Sequence, residues 1–282
     1  GFPLLKKYGA RAVLFAIPGL TRDGGPRSVG NGPAGAEDED VVNWSELTIM
    51  HESGHLDVQS HSLYHAQVPC SPKVVGFLGP GVRVRPFDSI PVPRGFEDLP
   101  VRPRRAECYG LPIFEGSPLF AGGKRFVPPP AFVEACTAAY RSAERRFDSG
   151  RPDRFLRRIG WPVERLAAEG RYAPVEGEIR ESLRRSKEMI ESRLPGKKVR
   201  HFCFPYGLFC PAAVAELDPA GYSTAFLSYL KGRAENRPGD DPYAIVRVKN
   251  DYLPRLPGRG RLSLGRIIGM KMMRRLKGKT GY

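Results

Sequence analysis

Two histidines four residues apart are the side chains in this sequence best suited to chemistry. The stretch 54–65 (GHLDVQSHSLYH) ends with His61 and His65 and holds three of the five histidines of the chain. Residues i and i+4 of a helical turn or tight loop face the same way, so two neutral imidazoles could bind one metal ion at about 2.0–2.1 Å. Such pairs also arise by chance or at helix ends, so other motifs must support this interpretation.

We expect a divalent metal, with zinc as the favoured ion, at His61 and His65. Two histidines and at most one carboxylate would leave coordination positions open for water and substrate. That ligand set is typical of catalytic zinc sites, whereas structural sites are closed by four protein ligands.

A second stretch, 199–207 (VRHFCFPYG), is an apolar run that ends in Pro205, Tyr206 and Gly207. Continuous apolar residues bounded by turn formers indicate a buried strand that opens into a turn. The tip of that turn would offer backbone N–H donors.

Together these segments resemble the polysaccharide deacetylases of the NodB-homology type, carbohydrate esterase family four. Residues 60–65 match the family's Ser/Asn-His-Ser/Thr-x-x-His motif, and Pro205 and Tyr206 match its third motif. Residues 221–225 (GYSTA) resemble the Gly-Tyr block that follows, and the whole resemblance covers roughly residues 1–70 and 175–250.

The resemblance implies an α/β fold, a distorted (β/α) barrel, with a metal held by one Asp and by His61 and His65. It also implies that Pro205 and Tyr206 lie at the substrate and that the Tyr206 backbone amide donates to the developing oxyanion.

The sequence departs from the family in its acid–base groups. The Thr-Phe-Asp-Asp stretch that relatives carry ahead of the helix resembling residues 2–8 is absent, and the chain begins at Gly1 without Met. We expect an N-terminal truncation that removes the third metal ligand and the general base. No histidine follows His201, so the general acid is also unassigned. Asp23 and the acidic run 37–40 are possible substitutes, although carboxylates in Gly-rich loops usually face water.

The chemistry explains why these groups are needed. Hydrolysis of an acetamide at neutral pH calls for a metal that lowers the pKa of bound water to about 7, together with a base, an acid and an oxyanion donor. One such donor contributes about 3 kcal/mol elsewhere. We therefore predict metal-dependent hydrolysis of acetamido groups on an acetylated polysaccharide, with release of acetate. The alternative is a non-catalytic glycan-binding relative.

The elements that must position these residues alternate along the chain. Strand-like runs are predicted at 12–20, 56–61, 199–204, 223–229 and 244–248, with helix-like segments between several of them. This alternation favours a parallel α/β fold. Both motifs lie where a strand gives way to a loop, and parallel barrels build their sites on that carboxyl-end face.

Three helices are predicted from spacing and caps. Asn43 or Ser45 can cap a helix over 46–53, and a second helix carries apolar residues at 179, 183, 190 and 194 before Pro195-Gly196. The third covers 131–147.

We divide the chain into a deacetylase-like barrel over 1–256 and a basic amphipathic tail over 257–282. An insertion at about 70–174 interrupts the barrel. Between Pro72 and Pro130 it carries twelve of the 28 prolines, which indicates an ordered covering segment. It either forms a cationic wall of the substrate groove or simply exposes solvated charges. The arginines concerned are Arg83, Arg85, Arg94, Arg102, Arg104 and Arg105.

A net charge of +15 favours an anionic partner. Residues 251–282 hold nine Lys or Arg, one acid and a cluster of apolar residues. This composition suggests either an anionic membrane surface as a partner or a basic helix packed on the barrel. No motif supports nucleic acid as a partner. The five cysteines show no Cys-x-x-Cys and form no disulfide framework. Localisation stays open, with the cell envelope favoured by the resemblance.

Overall fold

The fold is given by a computed structural model that describes residues 1–26, 41–84, 89–142, 151–228, 230, 232–233, 235–247 and 259–276. Its strands are β1 (Ala12–Ala16), β2 (Leu56–Ser60), β3 (Gln67–Phe77), β4 (Pro112–Pro118), β5 (Lys124–Val127), β6 (Arg171–Pro174), β7 (His201–Cys203), β8 (Thr224–Leu227) and β9 (Ile245–Val246). Its α-helices are α1 (Phe2–Tyr8), α2 (Trp44–Glu52), α3 (Pro130–Ser142), α4 (Pro152–Arg158), α5 (Val163–Glu169), α6 (Glu176–Arg193), α7 (Pro211–Ala215) and α8 (Leu264–Leu276).

The central element is a parallel sheet whose strands follow the order β1-β2-β7-β8-β9. All five predicted strands therefore exist and lie in one sheet, and the parallel α/β class is confirmed. Among the described residues the sheet has five strands, with β1 and β9 at its two ends.

Strand β1 is shorter than the run that predicted it. A 3-10 turn over Pro18–Leu20 follows it, because proline has no N–H to donate to a ladder. Gly19 makes this turn possible, since a Cβ there would lie 2.4 Å from Tyr64 Cε1 and 2.6 Å from the carbonyl oxygen of Leu63. The turn after β1 is thus in close contact with Leu63 and Tyr64, which lie between the two predicted metal ligands.

Helix α2 begins at the predicted cap. The Asn43 side chain accepts from the Glu46 N–H, and the Glu46 carboxylate accepts from the Asn43 N–H. This reciprocal capping box stabilises the first turn. Beyond the C-cap residue Ser53, Gly54 has a φ of 71°, a conformation that favours glycine.

Helix α6 buries one apolar face against the parallel sheet. The predicted stripe is confirmed, because Ile179, Leu183, Ile190 and Leu194 are fully buried. They pack with Val58 of β2 and with apolar residues of β7 and β8. Burial of each such side chain contributes about 1.5–3 kcal/mol, so α6 is fixed firmly behind the strands that carry the motifs.

The segment between β2 and α6 builds its own layers. Strands β3 and β4 form an antiparallel pair, as do β5 and β6, and two separate apolar clusters pack here with α3, α4 and α5. The described parts of the insertion therefore form regular elements with apolar clusters of their own. Strand β3 was not predicted because Pro69 and Pro72 lie inside it and prolines usually indicate a loop. The register with β4 shifts between Pro69 and Val74, as is common where prolines occur in strands.

A buried arginine joins this segment to α6. Arg125 of β5 is 2% exposed and its Nη1 lies 2.6 Å from Glu178 Oε2. Its Nη2 donates to the carbonyl oxygen of Val92. A buried charge must be paired, so this contact fixes the insertion to the helix behind the sheet.

Helices α3 and α8 also match predicted segments. Helix α3 covers Pro130–Ser142, and the rest of its predicted range, 143–150, lies outside the described residues. Helix α8 forms within the predicted amphipathic tail. Among the described helices, none combines the length and the apolar character that crossing a membrane requires.

Candidate metal and substrate site

The predicted site residues meet at one edge of the parallel sheet. His61 directly follows β2, Pro205 and Tyr206 come just after β7, and Arg247 directly follows β9. In parallel α/β sheets the carboxyl ends of the strands share an edge, and that edge is where such folds place their sites.

His61 is half-buried and held in one tautomer. Its Nδ1 lies 2.6 Å from the carbonyl oxygen of Cys203; a carbonyl only accepts, so Nδ1 carries the proton and Nε2 keeps the lone pair. The pKa of His61 is lowered to about 3, mainly because the ring is desolvated and to a lesser extent because of the charge of the neighbouring His65. His61 is therefore a neutral imidazole at pH 7, the form that binds metals.

His65 brings the two motifs into contact. Its ring centroid lies 4.9 Å from that of His61 and 4.4 Å from that of Tyr206. The Tyr206 hydroxyl in turn accepts a hydrogen bond from Gln67 Nε2 at 2.9 Å. The structure thus brings His61, His65 and Tyr206 together, as predicted.

The backbone at these positions is strained. Ser62, His65 and Tyr206, with φ values of 73°, 53° and 58°, are the non-glycine residues that have positive φ in the described parts of the chain. Such conformations cost of order 1–3 kcal/mol each and cluster at functional sites. Their coincidence at one place singles out this edge of the sheet.

Buried hydroxyl groups hold the loop that carries the histidines. Ser62 Oγ accepts from the His65 N–H at 3.0 Å, and Ser60 Oγ accepts from the Ser62 N–H at 3.3 Å. Ser60 Oγ also lies 2.8 Å from Ser186 Oγ of α6. Ser182 Oγ of the same helix accepts from the Leu63 N–H at 3.1 Å. These bonds offset the strain and fix the histidine positions.

Strands β2 and β7 are joined by side chains below the site. The backbones of the two strands pair at Ser60 and Phe202. Nearer the first residues of the strands, Gln59 Oε1 accepts from the N–H groups of Arg200 and His201, both at 2.9 Å. Gln59 therefore substitutes for backbone pairing where the strands diverge.

A charged pair extends this junction. Asp57 contacts the buried Lys197 ammonium and accepts from Gln59 Nε2 at 2.8 Å. Partial burial raises the pKa of Asp57, but the hydrogen bonds from Lys197 and Gln59 and the charge of Lys197 outweigh it and hold the pKa below its ordinary value.

Asp23, one of the substitutes considered for the missing Asp, does not join the histidines. No group of three His, Cys, Asp or Glu side chains that could hold a metal is found among the described residues. Asp23 instead pairs with Arg193 at 2.5 Å, and its side chain is 74% exposed. The acidic run 37–40 lies outside the described residues.

The other candidate residues have structural contacts. His55 Nδ1 lies 3.0 Å from the carbonyl oxygen of Ala10, and His201 Nδ1 lies 2.7 Å from Thr224 Oγ1. Cys203 is buried, and burial raises the pKa of its thiol to about 11. Cys210 Sγ faces the carbonyl oxygen of Gly122 at 3.6 Å.

Three arginines of the predicted cationic wall lie next to carboxylates. Arg102 pairs with Asp98 at 2.6 Å, Arg104 with Glu107 at 3.4 Å, and Arg94 lies 3.9 Å from Glu178. Arg85 lies outside the described residues. These ion pairs favour the interpretation of this segment as a covering layer.

Sequence reasoning missed several residues that build the site. Gln67 has no motif of its own, although its position two residues after His65 was an available clue. The serines of α6 looked like ordinary polar positions of a helix. Arg247, whose charge contributes to lowering the pKa of His61, was only part of the strand predicted over 244–248.

No family model matches the chain, and no curated protein matches it in sequence. Solved structures of deacetylases are similar to it. A de-N-acetylase from Aggregatibacter actinomycetemcomitans has 17% identity and a TM-score of 0.45 over 88% of this chain. The BpsB deacetylase domain from Bordetella bronchiseptica has 16% identity and a TM-score of 0.45 over 87%, and IcaB from Ammonifex degensii has 19% and 0.40 over 90%.

The matched part of each of these three chains is 63% of its length. Because the TM-scores lie below 0.5, the functional interpretation below rests on the motifs and on the site itself.

Proposed function

We propose that this chain carries the metal and substrate site of a polysaccharide deacetylase that hydrolyses acetamido groups and releases acetate. The observation that carries the proposal is the convergence of two separate motifs, one supplying His61 and His65 and the other Tyr206, at the carboxyl edge of one parallel sheet. A distorted (β/α) barrel is the proposed complete fold, with the cell envelope as its location.

The residues present fit part of a metal site. His61 has its Nε2 lone pair fixed by the Nδ1–H bond to Cys203, and the His65 ring lies against it. His61 and His65 would hold a divalent cation, with zinc proposed, which would supply Lewis acidity toward water and the acetyl carbonyl. Other ligands would have to come from outside the described residues, since no third such group is found within them.

The protein groups have distinct roles in this proposal. Tyr206, held in its left-handed conformation, would place its backbone N–H toward the oxygen of the acetyl group as charge develops there. Gln67 would keep the Tyr206 ring in position through the hydroxyl contact. The buried serines would preserve the spacing of the two imidazoles while substrate binds.

A second candidate function is non-catalytic binding of an acetylated glycan. The specific observation that favours it is the lack, among the described residues, of a carboxylate beside the histidines. Without a general base the same groove could bind the sugar and leave the amide intact.

Metal binding and acetate release test both candidates. The full chain, loaded with zinc, should contain metal by elemental analysis, and the first candidate function further predicts acetate release from an N-acetylglucosamine oligomer. His61→Ala/His65→Ala should lose both, whereas His51→Ala, which removes an imidazole from α2, should keep both. Zinc-dependent binding of the oligomer without acetate would support the second candidate. Metal content equal in all variants, with neither binding nor release, would overturn the proposed site.

A further inference from the structure

Helix α8 carries a row of exposed apolar side chains. Leu264, Ile268, Met272 and Leu276 are 43%, 47%, 61% and 81% exposed. Residues four apart lie above one another on a helix, so these four form one continuous stripe. Four adjacent exposed apolar side chains on a single helix differ from the scattered ones that any protein surface shows.

One residue shows which side of α8 is covered. Ile267 is 1% exposed, and it lies about 100° around the helix from Ile268. The covered side of the helix is therefore the side of Ile267. The stripe is left facing outward.

The sequence of α8 and of the residues just before it is strongly basic. Residues 259–276 contain six Lys or Arg and no Asp or Glu. They are Arg259, Arg261, Arg266, Lys271, Arg274 and Arg275. A surface that combines an apolar stripe with this charge complements a ligand that is both anionic and apolar.

The length of α8 sets how it could meet such a ligand. Its 13 residues correspond to about 20 Å, shorter than the hydrocarbon thickness of about 30 Å. A basic helix of this kind lies in the plane of the interface, with its apolar side at the boundary of headgroups and acyl chains.

We propose that α8 docks this protein on an anionic lipid bilayer. The stripe enters the acyl boundary, and the arginines at and before the start of α8 contact lipid phosphates. The charge selects anionic over neutral lipid. The apolar stripe distinguishes a bilayer from a nucleic acid, whose phosphates would require the charges alone. This inference is independent of the proposed deacetylase activity.

Co-sedimentation of the full chain with vesicles tests the apolar part. Binding to mixed phosphatidylcholine–phosphatidylglycerol vesicles should exceed binding to phosphatidylcholine alone. Ile268→Ser/Met272→Ser should weaken it at least ~10-fold, because two apolar side chains no longer enter the lipid. The matched control Ile49→Ser/Val75→Ser changes two similarly exposed apolar residues elsewhere and should bind like the parent chain.

A second pair of variants tests the charges. Arg259→Gln/Arg261→Gln/Arg266→Gln should weaken binding roughly 100-fold, at about 1 kcal/mol for each arginine near an anionic surface. The control Arg151→Gln/Arg154→Gln/Arg157→Gln removes the same charge from α4 and its N-cap and should have a far smaller effect.

Three outcomes would overturn the proposal. The first is no preference for anionic vesicles. The second is vesicle binding that the stripe variant leaves unchanged. The third is binding to duplex DNA stronger than to vesicles, lost with the arginines and kept by the stripe variant, because α8 would then be a polyanion surface.

Discussion

His61 donates its Nδ1 proton to the carbonyl oxygen of Cys203 over 2.6 Å, across 142 residues of sequence. This bond joins the loop after β2 to the last residue of β7, and it fixes which nitrogen of His61 keeps a lone pair. A backbone acceptor for the second nitrogen is the usual way in which a ligating imidazole is oriented. It is therefore the geometry expected of a metal ligand.

The hydroxyl cluster behind the histidine loop should be important for stability. Ser186→Ala removes a buried hydroxyl that contacts Ser60 and Tyr222, and we expect the free energy of unfolding to fall by about 2 kcal/mol. Urea unfolding followed by circular dichroism measures this. Ser192→Ala removes an exposed hydroxyl from the same helix and should change stability by less than about 0.5 kcal/mol; equal losses would refute the role of the cluster.

The contact between Gly19 and the histidine loop predicts opposite effects for two glycines. Gly19→Ala would place a Cβ 2.6 Å from the carbonyl oxygen of Leu63, so the loop must move. We expect a loss of about 1–3 kcal/mol together with weaker zinc binding. Gly177→Ala, in α6 with no atom near its Cβ, should stabilise by up to about 1 kcal/mol. Calorimetry and thermal unfolding measure both, and unchanged zinc affinity in Gly19→Ala would contradict the link.

A double-mutant cycle tests whether Gln67 and Tyr206 act as a pair. Gln67→Leu and Tyr206→Phe each remove one partner of the 2.9 Å bond. The double variant should be about 1 kcal/mol more stable than the sum of the two losses predicts. Tyr172→Phe with Gln67→Leu is the control, because Tyr172 lies in β6 and should add independently. Zero coupling between Gln67 and Tyr206 would show that the bond does not position the tyrosine.

Acid should weaken the junction of β2 and β7 through Asp57. Its pKa is lowered in the folded state, so below its ordinary value of about 3.9 the unfolded chain binds more protons than the folded one. The stabilisation is complete above that value and is lost as the pH falls through the folded pKa.

Asp57→Asn should therefore be less stable than the parent at pH 7, by roughly 1–3 kcal/mol, because Lys197 stays buried without its anion. The difference should shrink toward pH 3. Urea unfolding at a series of pH values measures it, with Glu134→Gln on the exposed side of α3 as the control. A difference that does not depend on pH would argue against this ion pair.

The positions of the parallel strands and of the main helices along the chain could be predicted because hydrophobic runs and caps are local properties. The runs before His61 and Pro205 became β2 and β7, and Asn43 formed the cap at the start of α2. The ends were less accurate, since the turn at Pro18 depends on the close approach of Tyr64.

Long-range contacts were not predictable in the same way. The long strand β3 contains prolines, which in the sequence indicate a loop. It forms because β4 pairs with it across a bulge. Similarly, Ser60 and Ser186 are separated by 126 residues, and no pattern in either segment indicates the other. The motifs identified the chemical residues, whereas the residues that hold them were found only in three dimensions.

The insertion also has a consequence for how the protein folds. More than a hundred residues separate β2 from α6 and β7, so the contacts of His61 with Cys203 and of Ser60 with Ser186 close very long loops. Contacts of high sequence separation form slowly, because the entropy of loop closure must be lost first. Since the insertion has apolar clusters of its own, we expect it to become compact early and shorten the effective loop. The histidine pair would then be assembled late, and zinc binding would report the completion of folding.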